Sequence, residues 1–381
     1  MNLLKKLGIY IHIPFCSNKC YYCDFVSFPK FNSEMDKYID YLLLEMEIYK
    51  KLLDEYTIKT IFIGGGTPSY IDEQIIVKIL EYIYKNFDAK KVEEITIEAN
   101  PETLNEDKIN LYKQIGINRI SIGVQSLSDK LLNAVGRRHT TKDFLKSYDL
   151  IRKAEFDNVN IDLMFGLPNQ TVDDCIETLE EVIKLDVDHI SYYSLILEEK
   201  TLMNRWYNKG KIVLPDEDIE RQMYHNGINL LKSNGYKHYE ISNFAKEGFE
   251  CKHNLLYWQI EPYVGFGISA HSNLNNKRFW NYKNFKDYYN MLDKRLAPVC
   301  GEEKIDKKME MAEYLIMGLR LIDGINKDEF RNRFNQNVED IYYDTLIKHQ
   351  EGGLLSIDDE RINFTAKGLD LSNIVYVDLL P

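Results

Sequence analysis

The chain has 381 residues, of which 44% are hydrophobic and 28% charged, an ordinary composition for a globular protein. Its formal net charge of −12 at pH 7 disfavours nucleic acid as a main partner, because phosphate backbones would be repelled on average. No apolar run approaches the roughly 20 residues that span a bilayer, and the N-terminal apolar stretch is too short for a signal peptide. We therefore predict a cytoplasmic protein without a transmembrane segment, with reduced cysteines.

Strand and helix patterns alternate from residue 8 to about residue 235. The predicted strands are Gly8–Pro14, Ile58–Ile63, Glu94–Ala99, Asn118–Val124, Val159–Met164 and His189–Leu195. The predicted helices are Glu34–Glu55, Asp72–Phe87, Asn105–Ile115, Thr141–Glu155, Thr171–Leu185 and Asp216–Ser233. Such alternation predicts parallel strands covered by helices, and hence an α/β fold built on a partial (β/α)6 barrel. Functional groups of such barrels lie at the carboxyl ends of the strands.

Three cysteines, Cys16, Cys20 and Cys23, fall in the loop after the first predicted strand. Their C-x3-C-x2-C spacing favours a soft metal centre or an iron–sulfur cluster, because thiolates bind both. A cubane cluster held by three cysteines leaves one iron free to bind another group. A zinc site with His12 as the fourth ligand and a chance grouping of structural thiols remain as alternatives. A disulfide framework is disfavoured in a long chain without a secretory signal.

Polar or glycine-rich residues follow the later strands as well. Residues 64–68, Gly-Gly-Gly-Thr-Pro, follow the second strand, and we expect the glycines to admit a ligand closely and to expose N–H groups. The next three strands carry Glu98, Gln125 and Asp162, and Arg137 lies in a loop where a cation can meet a carboxylate. Each residue alone is typical of a solvated strand end. Together they favour a binding site at one end of the barrel.

A compact aromatic and imidazole group lies beyond the barrel segment, at His253, Asn254, Tyr257 and Trp258. Imidazole is a common ligand of heme iron, and aromatic rings suit a flat macrocycle. A core histidine beside a tyrosine explains the same residues, and without further context that reading is favoured. His271 follows in a loop that is expected to line the same cavity.

The C-terminal segment is predicted to form helices at 309–321, 327–334 and 338–349, a hairpin around Leu354–Phe364 and a last helix. This order is typical of a winged-helix-like domain. Residues 309–381 contain 14 Asp and Glu against 7 Lys and Arg, which favours a lid or docking role over DNA binding. We divide the chain into a core at 1–235, an extension at 236–300 that contains the His253 group, and a C-terminal helical domain at 301–381.

The cysteine spacing with Tyr22 before the third cysteine, the glycine run and the polar strand ends resemble the core of radical S-adenosylmethionine (SAM) enzymes. The resemblance covers about residues 8–235. Within that superfamily the chain is similar to the coproporphyrinogen dehydrogenase group, which includes the HemW-type heme chaperones. Phe25 stands where the dehydrogenases have a further cysteine, and the chaperones' H-N-x-x-Y-W motif is present at 253–258. Both features, with the short N-terminus, favour the chaperones.

The resemblance implies a role for each matching residue. Cys16, Cys20 and Cys23 would hold a 4Fe-4S cluster, whose open iron binds the amino and carboxylate groups of SAM. His253 is implied as the heme ligand, and Arg138 is an alternative match to Arg137. The residues implied to contact SAM or to lie beside the cluster are Tyr10, Tyr22, Gly65, Gly66, Thr67, Glu98, Gln125, Arg137 and Asp162.

The resemblance also implies a function, namely binding heme and delivering it to apo-haemoproteins. The alternative is an oxygen-independent coproporphyrinogen III oxidase, in which a radical derived from SAM abstracts hydrogen from a propionate that then loses carbon dioxide. A flavodoxin or ferredoxin electron donor is a family expectation. A radical enzyme acting on an unrelated small substrate is a third hypothesis.

Overall fold

The computed structural model describes residues 5–381, and its centre is a sheet of six parallel strands arranged in chain order. These strands are β1 (Lys5–Ile13), β2 (Tyr56–Gly65), β3 (Glu94–Ala99), β4 (Arg119–Gln125), β5 (Val159–Phe165) and β6 (His189–Ser194). The helices of this region are α1 (Met35–Leu53), α2 (Glu73–Asn86), α3 (Glu106–Gln114), α4 (Asp129–Ala134), α5 (Thr141–Lys153), α6 (Val172–Lys184), α7 (Leu202–Tyr207) and α8 (Glu217–Ser233). Parallel strands are buried on both faces, and every residue of β4 is buried. The predicted α/β partial barrel is confirmed.

The hydrophobic periodicity placed these elements well. Each predicted strand ends within three residues of the observed one, and the six predicted helices agree more closely. Asn105 and Thr171 cap α3 and α6 as expected, since their side chains accept hydrogen bonds from backbone N–H groups of the first turn. The short helices α4 and α7 were not predicted, because six residues are too few to show a helical period.

The strongest difference from the sequence-based expectation lies between residues 236 and 304, where the central sheet is extended at both edges. On the β6 side lie β7 (Lys237–Glu240), which confirms a short strand that the sequence predicts at Tyr236–Ile241, and β8 (Asn243–Ala245), which was not predicted. On the β1 side lie α9 (Lys252–Trp258), β9 (Tyr263–Phe266), β10 (His271–Leu274), β11 (Lys277–Asn281), α10 (Phe285–Asp293) and β12 (Val299–Lys304).

Strand β9 pairs in parallel with β1, and β10 to β12 continue from it in antiparallel order. Outer antiparallel strands carry polar residues on an exposed face, which explains why this polar segment gave no strand signal. The return of the chain to β1 places residues 253–258 beside the first two barrel strands.

The C-terminal segment has the predicted winged-helix-like order. Its elements are α11 (Lys307–Gly318), β13 (Ile325–Asn326), α12 (Lys327–Phe334), α13 (Val338–Glu351), β14 (Leu355–Ile357), β15 (Arg361–Phe364), α14 (Ala366–Asp370) and α15 (Ser372–Leu379). The single last helix that the sequence predicts is therefore two helices, α14 and α15. This segment has a core of its own around Leu315, Phe330 and Ile362. The domain limits near 235 and 300 stay a prediction, since the central sheet continues to Lys304. Within residues 5–381, no helix has the length and apolarity needed to cross a membrane.

A buried carboxylate joins α1 to the extended edge of the sheet. Glu45 is inaccessible to solvent, and its Oε2 accepts hydrogen bonds from the Gly267 N–H (2.8 Å) and the Tyr288 hydroxyl (2.6 Å). Its Oε1 accepts one from the Asn281 amide at 2.6 Å. Burial raises the pKa of Glu45 to about 7, although these three hydrogen bonds favour the ionised form. The contact holds the extension against the barrel.

We predict that Glu45→Gln lowers the free energy of unfolding by about 1–3 kcal/mol at pH 6, because the amide NH2 has two donors and no acceptor, whereas the carboxyl group carries at most one proton and can accept through both oxygens. A carboxyl whose pKa is raised in the folded state stabilises the fold most below its unfolded pKa, and this contribution is lost as pH rises through about 7. The advantage of the wild type over the variant should therefore shrink between pH 5 and pH 8 in urea unfolding. An advantage that grows with pH would contradict this account.

Candidate functional site

The cysteine loop rests directly on the glycine run that follows β2. The N–H groups of Gly66 and Thr67 donate to the carbonyls of Ile13 and Phe15, each at 2.8 Å. A Cβ on Gly66 would lie 2.9 Å from Cys16 Sγ and 2.7 Å from the Phe15 carbonyl, so only glycine fits there. The glycines therefore serve close packing under the loop.

The expectation that the glycine run exposes N–H groups to a ligand was wrong. The N–H groups of Gly66 and Thr67 are bonded to backbone carbonyls at the start of the cysteine loop. The Gly65 N–H donates to Glu98 Oε2 at 3.0 Å. Gly65 has a φ of 114°, and a Cβ there would meet the His12 ring at 2.7 Å.

The three cysteines are free thiols at one end of a common cavity. The Thr67 hydroxyl donates to Cys16 Sγ, and an Arg137 guanidinium N–H donates to Cys20 Sγ, both at 3.5 Å. Burial raises the pKa of Cys23 to about 11, so binding of a metal centre must displace protons. Three thiols with adjacent donors are a suitable set for an iron–sulfur cluster.

The alternative of a zinc ion with His12 is not supported. Both His12 ring nitrogens are hydrogen-bonded, to the Tyr10 hydroxyl at 3.0 Å and to the Val26 carbonyl at 2.8 Å. In the part of the chain that the structure describes, residues 5–381, no three His, Cys, Asp or Glu side chains converge as ligands of a single metal ion. A four-iron cluster needs its thiolates further apart than one ion does.

The cavity beside the cysteine loop measures about 420 Å³. Every residue implied to hold the cluster, SAM or heme lines this cavity, except Tyr10 and His253. The predicted residues that line it are Cys16, Cys20, Tyr22, Cys23, Gly65, Gly66, Thr67, Glu98, Gln125, Arg137 and Asp162. Arg138 is exposed and lies outside the lining, which favours Arg137 as the matching arginine.

A bulge at the end of β4 directs Gln125 into this cavity. The register of β4 against β5 shifts between Gly123 and Gln125, and Gln125 has a φ of 71°. The Tyr193 hydroxyl from β6 donates to Gln125 Oε1 at 2.9 Å and fixes the amide. A non-glycine residue in this conformation at a cavity wall is typical of a functional site.

Hydrogen bonds connect the arginine to the cysteine loop through a residue that was not predicted. Arg137 donates to Asn100 Oδ1 at 3.0 Å, and the Asn100 amide donates to Thr67 Oγ1 at 3.2 Å. Thr67 in turn contacts Cys16. Asn100 directly follows β3, two positions beyond Glu98. This position at a strand end is the sequence feature that could have identified it as a site residue.

Two partly buried carboxyl groups give the cavity its electrostatic character. Burial, and then the nearby charge of Asp162, raises the pKa of Glu98 to about 8. Burial also raises the pKa of Asp162, whose Oδ1 accepts a hydrogen bond from the Asn160 amide at 2.6 Å. Perturbed carboxyl groups facing a cavity are typical of ligand sites. Here both carboxyl groups suit a ligand with hydroxyl groups, and Asp162 suits a positive charge.

A larger cavity of about 850 Å³, within the range of cofactor sites, adjoins the first. The residues lining both are Phe25, Gly65, Glu98, Asn254 and Trp258. Phe25 is 58% exposed, an unusual fraction for phenylalanine. The larger cavity also contains aromatic and basic side chains, namely Tyr10, Phe62, Tyr257, Tyr263, His271, Arg278 and Lys283. Its aromatic wall therefore suits a flat apolar ligand. Arg278 and Lys283 suit anionic groups on that ligand, although Asp24 and Glu313 also line the cavity.

His253 lines the larger cavity, but the structure uses its ring to seat α9. Nδ1 hydrogen-bonds to the Thr60 hydroxyl at 2.6 Å, and Nε2 to the Tyr257 hydroxyl at 2.8 Å. The residue is 1% exposed, and burial lowers its pKa to about 3. Its backbone N–H donates to Glu94. Neither ring nitrogen is free in this conformation, so ligation of iron by His253 stays a prediction and requires the Tyr257 contact to break.

Further residues of the smaller cavity come from distant parts of the chain. Glu240 Oε2, Asn243 Oδ1 and Trp258 Nε1 are buried and have no hydrogen-bond partner among residues 5–381. The Arg320 guanidinium stacks 4.5 Å above the Trp258 ring. Only the fold brings β7, β8, α9 and the end of α11 together, so no local pattern predicted this wall.

Comparison with known proteins gives two family matches. Residues 10–182 match the Radical SAM superfamily, and residues 305–371 match the HemN C-terminal domain. The heme chaperone HemW of Lactococcus lactis is 37% identical over 99% of this chain and 98% of the relative. The heme chaperone HemW of Bacillus subtilis is 35% identical over 96% and 97%.

Among solved structures, the coproporphyrinogen III oxidase HemN of Escherichia coli superposes with a TM-score of 0.86. The likeness covers 98% of this chain and 90% of that one, at 23% sequence identity. At this identity the likeness concerns the fold.

We predict that Gly66→Ala prevents incorporation of a cluster, because its Cβ would overlap Cys16 Sγ and the Phe15 carbonyl. Iron and sulfide bound after anaerobic reconstitution should fall at least fivefold. Gly352→Ala, on the C-terminal segment at a φ of −70°, is the matched control and should bind normal amounts. Equal iron content in both variants would refute the packing argument.

Proposed function

The chain belongs to the HemW family of heme chaperones, and on this premise we propose that it binds heme in the larger cavity and passes it to apo-haemoproteins. Its relatives match over nearly their whole length. The observation that best supports the proposal is that the large aromatic and basic cavity adjoins the cysteine-lined one and shares Phe25, Gly65 and Glu98 with it as lining residues.

The smaller cavity suits the two cofactors of the radical SAM family. Cys16, Cys20 and Cys23 would hold the 4Fe-4S cluster, and the Arg137 cation beside Cys20 would offset the charge of the bound thiolates. When bound, the cluster and SAM supply one-electron reduction of a sulfonium. We propose that Gln125 and Asp162 contact the polar groups of SAM, because their side chains face the cavity from adjacent strands.

The protein contributes orientation and exclusion of water at this site. Arg137 is held by Asn100 and the Gly123 carbonyl, so its donors are fixed before any ligand arrives. Glu98 bonds to the Gly65 N–H at the junction of the cavities and has a pKa of about 8. It is therefore largely protonated at pH 7, which limits charge repulsion between it and heme propionates.

Heme titration tests the first part of the proposal. Anaerobically purified protein, with and without reconstituted cluster, should give a saturable Soret band at one heme per chain. Because the two cavities share walls, the affinity should differ between the two forms. A protein that gives only the spectrum of free heme would refute the heme-binding function.

The dependence of the heme-transfer rate on acceptor concentration tests whether the protein delivers heme. Heme-loaded protein is mixed with increasing amounts of an apo-form of a b-type haemoprotein. Transfer by contact should accelerate with acceptor concentration, whereas passive loss of heme has a rate that is independent of the acceptor. A rate that does not change with acceptor concentration would contradict the chaperone role while leaving heme binding intact.

We predict that Asp162→Asn weakens SAM binding about tenfold, since it removes a partly buried carboxylate from the cavity wall. Isothermal titration with reconstituted protein measures the affinity. Asp149→Asn, an exposed carboxylate on α5 paired with Lys153, is the control. Unchanged SAM affinity at normal cluster content would remove Asp162 from the proposed site.

The complete cysteine-lined cavity also favours a second, weaker candidate, oxidative decarboxylation of coproporphyrinogen III. This proposal includes a flavodoxin or ferredoxin electron donor. Anaerobic incubation with coproporphyrinogen III, SAM and reductant tests it. Carbon dioxide and a vinyl product would support the oxidase, and their absence alongside normal heme binding would leave only the chaperone role.

A further inference from the structure

The larger cavity is lined by three imidazoles, and the environment of His271 differs from those of His12 and His253, whose ring nitrogens are hydrogen-bonded. His271 begins β10, is exposed toward the cavity and stacks on Trp280 of β11 at 5.8 Å between ring centroids. Within residues 5–381 its ring makes no hydrogen bond or ion pair, and the stacking holds it in one plane. A supported imidazole with a free nitrogen is the ordinary form of a heme-iron ligand.

The charges around His271 also suit heme. Burial, and then the charges of Lys283 and Arg278, lower the pKa of His271, so the ring is neutral at pH 7 and its lone pair is available. Arg278 donates to Glu313 at 2.7 Å, whereas Lys283 makes no ion pair among the described residues. Lys283 can therefore pair with a heme propionate. Arg278 is less available for such a pair, because its charge is already offset by the Glu313 carboxylate.

We propose that His271, and not the buried His253, ligates the heme iron in the larger cavity, with Lys283 as the contact of a propionate. This inference rests on the proposed heme-binding function and names the ligand within it. His253 then has a positioning role: it holds α9 against β2 through Thr60 and keeps Tyr257 and Trp258 as cavity walls.

Ferric heme is titrated into the full-length wild type and into His271→Ala, His253→Ala and the control His225→Ala, an exposed histidine bonded to Asp370. We expect His271→Ala to lose the imidazole-type Soret band and to bind heme at least tenfold more weakly. Added imidazole should restore the band in this variant, because it can occupy the space left by the ring. His225→Ala should match the wild type.

The pattern of results distinguishes a wrong ligand assignment from a wrong proposed function. An imidazole-type spectrum retained in His271→Ala but lost in a correctly folded His253→Ala would overturn the assignment and leave heme binding standing. Absence of heme binding by the wild type would overturn the proposed function itself. Because His253→Ala is a core substitution, its fold is checked by circular dichroism, and Tyr257→Phe, which frees His253 Nε2, gives a second test. That variant should keep the wild-type spectrum.

Discussion

The site depends on the contact between the cysteine loop and the glycine run. The loop hydrogen-bonds to Gly66 and Thr67, and the missing Cβ of Gly66 leaves the space in which the Cys16 thiol lies. This contact joins the ends of β1 and β2, so the cysteine loop is fixed to two neighbouring strands of the barrel. The adjacent Gly65 N–H holds Glu98 at the point where the two cavities meet. One short turn therefore positions both sites.

The second constraint is the way α9 carries two side-chain pairs at i, i+4 spacing. His253 and Tyr257 bond to each other and seat the helix on β2, whereas Asn254 and Trp258 face both cavities. The motif thus serves packing and lining at once. Its histidine is buried, and its ring nitrogens bond to Thr60 and Tyr257.

Sequence patterns predicted the barrel because buried parallel strands and their covering helices have strong periodicity. The cysteine spacing and the groups at strand ends predicted most of the smaller cavity for the same topological reason. The wall formed by Glu240, Asn243 and Arg320 was not predictable, since these residues meet only through the return of the chain along both sheet edges. The protonation and bonding of His253 likewise depend on Thr60, which is 193 residues away in the chain.

In the proposed function, heme and the cluster occupy adjoining cavities of one protein. Anomalous diffraction at the iron edge, from anaerobic crystals of heme-loaded and cluster-loaded protein, tests it most directly. We expect two separate iron positions, one over Cys16, Cys20 and Cys23 and one in the larger cavity within bonding distance of His271. A heme iron located elsewhere, such as on the C-terminal segment, would contradict it.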